Sequence, residues 1–224
     1  MSRPTKIVVI GAGFAGLAAV KALRRNPDVD VLMIDRHPYQ LFSPLLYQVA
    51  TGGLPEDDIA YPVRAALPGV SFLRGDVARI QPEKNSLRMA DGTDVSYDHL
   101  VIATGSVGTT FGIPGVEQYA LQMKNIHEAR AIKQRLFGTY EEVQESRLPR
   151  ESLRVVVVGG GPTGVEVAGA VAELQRSLHR EYPAIADYAS ITLVEAGPRL
   201  LSMFKEGSSN HAREELEKLG VEVK

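Results

Sequence analysis

The chain has 224 residues, of which 44% are hydrophobic and 23% are charged, a balance typical of globular proteins. Its formal net charge of −2 gives no global attraction to nucleic acid or to an anionic membrane, so no nucleic-acid partner is expected. The absence of cysteine excludes a redox dithiol, a thiolate nucleophile and a cysteine-ligated iron–sulfur cluster within this chain.

The first predicted unit begins with a wholly apolar run at residues 7–10, which is typical of a buried parallel strand. A glycine-rich turn follows at residues 11–16, and small residues then predict a helix that runs to Arg25. A second apolar strand at residues 31–34 ends at Asp35. This order of strand, glycine-rich turn, helix, strand and acid predicts a Rossmann-like nucleotide-binding unit.

Different patterns follow the first unit. Ser43 is a suitable N-cap for a short helix over residues 45–51. Turn signals within residues 71–97 predict a small antiparallel β-meander, which returns to a buried strand at residues 100–103.

A helix is predicted over residues 126–147. Asn125 and Glu128 form a candidate capping box at its start, and Gly138 is a point where it could be interrupted.

The first pattern recurs 148 positions later. Residues 155–158 form an apolar strand, residues 159–164 form a glycine-rich turn, a helix runs to about Leu178, and a strand at residues 191–194 ends at Glu195. The chain is therefore predicted to be an α/β protein with two Rossmann-like, doubly wound parallel sheets. The last strand starts at Val221, so the second unit is expected to be truncated at the C-terminus.

Each glycine in such a turn has a distinct role. The first permits the tight turn, the second lets a pyrophosphate approach the backbone, and the third lets the helix pack on the strand. The helix N-terminus attracts phosphate, and the following acid can accept hydrogen bonds from a ribose diol while repelling the 2′-phosphate of NADP. The alternatives are a tight turn without ligand and an acid that is merely solvated. Glu195 is the weaker candidate, because it lies 36 residues after Gly159, with the extra length in residues 179–190.

Residues 97–105 (YDHLVIATG) resemble the second flavin fingerprint of the two-dinucleotide flavoproteins. In that superfamily the Ala-Thr-Gly turn lies close to FAD. The resemblance implies FAD on the first glycine-rich turn and a nicotinamide nucleotide on the second. It also implies an FAD-binding domain over residues 1–118 and an NAD(H)-binding domain over residues 119–224.

Residues 36–52 (RHPYQLFSPLLYQVATG) and 159–166 (GGGPTGVE) resemble the type II, non-proton-pumping NADH:quinone oxidoreductases. The resemblance implies an enzyme that transfers hydride from NADH to FAD and then two electrons to a quinone. It extends from about Lys6 to the end of the chain. The closing flavin segment and the membrane-docking helices of that family have no counterpart here, so membrane attachment is expected only through segments of the full-length protein.

The resemblance and the motifs together define the candidate site residues. The candidates for FAD are Gly11, Gly13, Phe14, Ala15, Gly16, Asp35, Arg36, Gln48, Val77, Ala103, Thr104 and Gly105. The candidates for NADH are Gly159, Gly161, Pro162, Thr163, Gly164, Glu166 and Glu195. Gln48 and Glu166 are also the catalytic candidates, Gln48 as a contact of flavin or quinone and Glu166 as an influence on proton supply. The alternative for Glu166 is a simple interaction with the helix dipole.

Other readings stay open at this point. A ferredoxin reductase-like protein and an NAD(P)H-dependent monooxygenase share the architecture, and the chain could also be a catalytically silent nucleotide-binding fragment. No metal site is expected, because the five histidines are scattered without ligand spacing. The absence of a signal-peptide core predicts a cytoplasmic protein, peripheral on the cytoplasmic face of the inner membrane when full-length. Whether it forms a homodimer is left open.

Overall fold

The structure, a computed structural model, describes residues 3–224. They divide into two compact units: one comprises the chain up to Phe42 together with Asp57–Val107, and the other comprises Ser43–Glu56 and Gly108–Lys224. The assignment of residues 1–118 to FAD binding and residues 119–224 to NAD binding stays a prediction.

The strands are β1 Thr5–Ile10, β2 Val29–Asp35, β3 Tyr39–Leu41, β4 Ala60–Pro62, β5 Ser71–Arg74, β6 Val77–Gln81, β7 Ser86–Met89, β8 Asp94–Ser96, β9 His99–Ile102, β10 Arg154–Val158, β11 Ser190–Val194 and β12 Val221–Val223. The helices are α1 Phe14–Leu23, α2 Leu46–Ala50, α3 Val63–Ala66, α4 Val116–Tyr119, α5 Ile126–Gln144, α6 Pro162–Glu181 and α7 Glu206–Lys218. No helix within residues 3–224 is long and apolar enough to cross a membrane.

The first unit is built on a parallel sheet in the order β5-β2-β1-β9. On one face, Val9 and Met33 are fully buried in a cluster that includes the α1 residue Val20. On the other face, Val8 and Ile34 are fully buried in a cluster with residues of the antiparallel sheet β6-β7-β8. Burial on both faces explains why residues 7–10 of β1 are all apolar.

The second unit contains a parallel sheet in the order β10-β11-β12. Leu193 is fully buried on one face, in a cluster with residues of α6 and α7. The other face is exposed, with Val156 at 61%, Val158 at 55% and Val194 at 38% relative exposure. The apolar run at residues 155–158 is therefore packed on one face only, whereas the run at residues 7–10 in the first copy is buried on both faces.

The predicted α/β class, the parallel sheets and the small meander are confirmed. The meander is shorter than predicted, however, because Ser71–Arg74 pairs in parallel with β2 and only β6, β7 and β8 form the antiparallel sheet. The predicted cap of α2 is wrong: Ser43 begins a 3₁₀ turn, and α2 starts after Leu45 without a side-chain cap.

The long helix α5 begins at the predicted position and continues through Gly138 without interruption. The backbone N–H of Glu128 donates to the Asn125 side chain at 3.0 Å, as a capping box requires. The Glu128 carboxylate accepts from the N–H of Lys124 at 2.6 Å instead of from that of Asn125. Of the two hydrogen bonds of the predicted capping box, the bond to the Asn125 side chain is present. The bond to the Glu128 side chain comes from Lys124, one residue before the expected donor.

Candidate functional site

The first glycine-rich turn connects β1 to α1. Gly11 has φ +101°, and a Cβ atom built there would lie 2.2 Å from the Ala103 carbonyl oxygen. A Cβ atom on Gly16 would lie 1.8 Å from the Gly11 carbonyl oxygen. Both glycines are therefore required by the fold itself. Gly13 is different, because a Cβ atom there would meet no atom within 4 Å.

The second turn, between β10 and α6, repeats this arrangement. Gly159 has φ +104°, and a Cβ atom on Gly164 would lie 1.8 Å from the Gly159 carbonyl oxygen. Gly161 again has no atom within 4 Å of its Cβ position. In both turns the middle glycine serves no internal packing need, which fits a backbone that a diphosphate approaches closely.

The two helices start without side-chain caps. Gly13 is the N-cap of α1 and Gly161 is the N-cap of α6, and neither helix start receives a side-chain hydrogen bond. The first residues, Phe14 and Ala15 in one helix and Pro162 and Thr163 in the other, are exposed. Uncapped N–H groups and the positive end of the helix dipole together suit a phosphate.

An acidic side chain fixes the shape of each turn. Asp35 accepts from the N–H of Ala12 at 2.7 Å with one carboxylate oxygen and from that of His37 at 2.7 Å with the other. Glu195 does the same with the N–H groups of Gly160, at 2.6 Å, and Gly197, at 2.7 Å. We call each acid with its two N–H donors a carboxylate clasp.

The clasps have electrostatic and structural consequences. The N–H groups of Gly197 and Gly160 hold the pKa of Glu195 below its usual range, so it is ionised at neutral pH. Each carboxylate oxygen has a further lone pair and can still accept from a ribose hydroxyl. Glu195 therefore occupies the same local geometry as Asp35, despite the longer spacing that made it the weaker candidate.

Gly160 is a residue that the sequence analysis missed. A Cβ atom there would lie 2.5 Å from the Leu200 side chain and 3.0 Å from the Cβ of Glu195. The first copy has Ala12 at this position, so motif spacing alone gave no reason to single it out. Its signal was that all three residues 159–161 are glycine, where the first copy has Gly-Ala-Gly at residues 11–13.

Five further candidates lie beside the first turn. The N–H of Ala103 donates to the Ile10 carbonyl at 2.8 Å, which places Ala103 and Thr104 against Gly11, with Gly105 next in the chain. At the end of β2, Arg36 pairs with Asp76 at 3.2 Å, and the residue after Asp76, Val77, begins β6. The structure thus brings Ala103, Thr104, Gly105, Arg36 and Val77 to the two strand ends that carry Gly11 and Asp35.

Gln48 and Glu166 both belong to the second unit, and α2, which carries Gln48, packs on α6, which carries Glu166. The Gln48 side-chain amide donates to the Tyr47 hydroxyl at 3.1 Å. Glu166 is exposed in the first turns of α6, and partial desolvation by nearby protein atoms raises the pKa of its carboxyl. A carboxyl with a raised pKa can exchange a proton closer to neutral pH than an ordinary glutamate.

The apolar residues around α2 divide between packing and exposure. Leu46 is buried at 2% exposure, so its apolar character is explained by packing. Phe42 lies in the first unit at 42% exposure, and its ring makes an edge-on contact with Phe14, with 5.4 Å between the ring centroids. An exposed aromatic pair of this kind is available to a flat apolar ligand.

Comparison with known proteins supports the relationship suggested by the motifs. The family model described as "Pyridine nucleotide-disulphide oxidoreductase" matches residues 5–224. The type II NADH:quinone oxidoreductase NdhA of Mycobacterium tuberculosis is 40% identical over 97% of this chain and 48% of its own length. A type II NADH:quinone oxidoreductase of Staphylococcus aureus is 32% identical over 98% of this chain and 56% of its own length. The chain spans about half the length of the curated relatives it matches.

Solved structures show the same likeness. The structure of NDH2 from Plasmodium falciparum in complex with NADH matches with a TM-score of 0.91 and 28% identity, covering 99% of this chain and 48% of that chain. The sulfide:quinone oxidoreductase of Aquifex aeolicus matches with a TM-score of 0.80 at 24% identity, covering 98% of this chain and 50% of that chain, which shows a shared fold.

Proposed function

This chain belongs to the pyridine nucleotide-disulphide oxidoreductase family, and from its 40% identity to a type II NADH:quinone oxidoreductase we propose that it provides the FAD and NADH sites of such an enzyme. The observation that carries the proposal is the repeated carboxylate clasp, at Asp35 and at Glu195. Each clasp holds a glycine-rich turn whose middle glycine leaves room for a diphosphate. Two such turns in one chain suit two dinucleotides.

FAD is assigned to the first turn. Gly13 and the N-terminus of α1 would hold its pyrophosphate, and Asp35 its ribose diol. Arg36 and Val77 would lie at the adenosine end, and residues 103–105 beside the flavin. The contact between the Ala-Thr-Gly turn and Gly11 of the first glycine-rich turn supports this assignment.

NADH is assigned to the second turn. Gly161, Pro162 and Thr163 would receive its pyrophosphate at the N-terminus of α6, with Glu195 at the ribose diol. The ionised Glu195 would repel a 2′-phosphate and so favour NADH over NADPH.

The reaction is hydride transfer from NADH followed by delivery of two electrons to a quinone, without proton pumping. Bound FAD supplies the ring that accepts the hydride and passes the electrons on. The role of this chain is to orient the two nucleotides and to influence the protons that the quinone takes up. Glu166 is the proposed proton-handling group, because its pKa is raised, and Gln48 is the proposed contact of flavin or quinone.

The proposed acceptor also implies a place in the cell. A quinone resides in a membrane, so the full-length protein would work at a membrane surface, on its cytoplasmic face. The net charge of this chain, −2, gives it no global attraction to an anionic membrane surface.

The test is to load the protein with FAD and add NADH without oxygen. We expect the flavin absorption band to bleach and to return when a soluble quinone analogue is added. Ferredoxin and oxygen serve as comparison acceptors, because faster return with either would favour a ferredoxin reductase-like protein or a monooxygenase. A flavin that NADH does not bleach would exclude the proposed function.

A further inference from the structure

Residues Ser43–Glu56 lie between two strands of the first unit but pack with the second unit. The antiparallel pair of β3 and β4 aligns Leu41 with Ala60, and the N–H of Phe42 donates to the Ile59 carbonyl at 2.7 Å. The chain thus leaves the first unit after β3 and returns to it at β4, and we call this pair of strands the neck. We call Ser43–Glu56 the excursion segment.

The excursion segment has little stability of its own. Its helix α2 has only five residues and no side-chain cap, which is far below the length at which an isolated helix persists in water. Leu46, Val49 and Ala50 are buried, and α2 contacts α5 and α6. The position of Gln48, in the middle of α2, therefore depends on how the segment is held against the second unit.

One face of α5 receives the C-terminal half of the segment. Gly52 has φ +78°, and the Phe137 ring covers it so closely that a Cβ atom would lie 3.1 Å from the ring. Four residues later, Glu56 forms a two-pronged ion pair with Arg130, with the guanidinium Nε 2.8 Å from one carboxylate oxygen and an Nη 2.5 Å from the other. Arg130 and Phe137 are seven residues apart and so share a helix face.

The charge distribution around Glu56 favours this placement. The hydrogen bonds and charge of Arg130 lower the pKa of Glu56, and the charges of His127 and Lys133 act in the same direction. These three residues are spaced by three along α5, so Glu56 faces a basic edge of that helix. Glu56 is also the last residue of the excursion segment. Because the segment starts directly after β3, an attachment at Glu56 restrains all the residues between them.

We propose that the Glu56–Arg130 pair is a positioning element that holds the excursion segment on α5 and thereby sets the position of Gln48. Its effect on quinone reduction rests on the proposed function, whereas its effect on the segment does not. Neither Glu56 nor Arg130 is assigned a contact with a nucleotide or a quinone.

The chain contains a matched control pair. Arg88 and Asp94 form the same two-pronged arrangement, with an arginine of similar exposure and an acid that is more exposed than Glu56. They face each other across neighbouring strands β7 and β8. Exposed ion pairs in general contribute little to stability. Comparing the two pairs therefore separates positioning of a distant segment from the ordinary effect of losing a surface ion pair.

The first experiment measures amide hydrogen exchange over residues 43–56 in the 224-residue chain without nucleotide. Glu56→Gln and Arg130→Gln are each expected to speed exchange of α2 amides about five-fold, the size of one partly exposed charged pair. The double variant should be no faster than Arg130→Gln alone, and Asp94→Asn should leave these amides unchanged. Unaltered exchange in Glu56→Gln, or the same acceleration in Asp94→Asn, would overturn the proposal.

The second experiment uses the FAD-loaded protein with a soluble quinone analogue. Glu56→Gln should raise the KM for the quinone about five-fold while leaving the KM for NADH unchanged, and it should add nothing in a Gln48→Ala background. Equal losses in both backgrounds would show that the pair does not act through Gln48. If the wild-type protein reduces no quinone, the proposed function fails, and the exchange result still decides whether the pair holds the segment.

Discussion

The middle and last glycines of the second turn offer a decisive pair of substitutions. Gly161→Ala places a methyl group on extended backbone, with φ −74° and ψ 179°, where no protein atom lies within 4 Å. The fold should tolerate it, and loss of glycine freedom in the unfolded chain should stabilise the protein by up to about 0.4–1 kcal/mol. The same methyl group would stand where the proposed diphosphate approaches the helix N-terminus.

The expected cost to binding follows from the hydrogen bonds that the methyl group displaces. A hydrogen bond to a charged group contributes about 1.5–3 kcal/mol, so loss of one such bond should weaken NADH binding roughly 10- to 150-fold. Gly164→Ala should behave in the opposite way, because its Cβ atom would lie 1.8 Å from the Gly159 carbonyl oxygen, a backbone atom that cannot move aside. We expect it to destabilise the fold by about 3 kcal/mol or more.

The assay pairs a fluorescence titration with NADH and a urea unfolding curve followed by circular dichroism. Gly161→Ala should unfold at or above the wild-type urea midpoint and still bind FAD normally at the first turn, which makes FAD binding an internal control. The reasoning is refuted if Gly161→Ala binds NADH with wild-type affinity, or if Gly164→Ala is as stable as Gly161→Ala.

Three further predictions concern the acids and the exposed sheet face. Glu195→Gln removes one acceptor of the second clasp and should cost about 1–3 kcal/mol at pH 7. Because the pKa of Glu195 is lowered on folding, the wild-type advantage should be full above about pH 5 and shrink as the pH falls through the folded pKa, which urea curves between pH 3 and 7 will show. Glu166→Gln should remove from the pH profile of quinone reduction the limb that titrates above the ordinary glutamate pKa; an unchanged profile would assign that limb elsewhere. Val156→Thr combined with Val158→Thr should reduce self-association of the chain, measured by light scattering. The free energy of unfolding should change by less than about 1 kcal/mol, because both residues are more than half exposed. A large loss of stability would show that this face is packed.

The elements around the glycine-rich turns were predictable because their sequence signals are local. The apolar runs, the turn glycines and the terminal acids all lie within one strand–turn–helix–strand stretch, and β1, α1 and β2 occur where those signals place them. The same holds for the start of α5, which Asn125 marks, whereas the helix ends at Gln144, three residues before the predicted end.

The missed features depend on partners distant in sequence. Ser71–Arg74 has the sequence pattern of a meander strand, but it pairs with β2. The paired residues Leu32 and Ser71 are 39 positions apart in the chain. The exposure of Val158 depends on what covers the sheet, which an apolar run cannot reveal. The attachment of the excursion segment depends on Arg130, which lies 74 residues beyond Glu56.

The two clasps also show where this architecture accepts extra length. The acid follows the first glycine of its turn by 24 residues at Asp35 and by 36 at Glu195, yet the bond to the turn is 2.7 Å in one copy and 2.6 Å in the other. The additional residues enlarge α6 and the connection after Glu181, away from the nucleotide cradle. That connection is thus a natural host for an inserted peptide or reporter, and a graft there should leave cofactor loading intact.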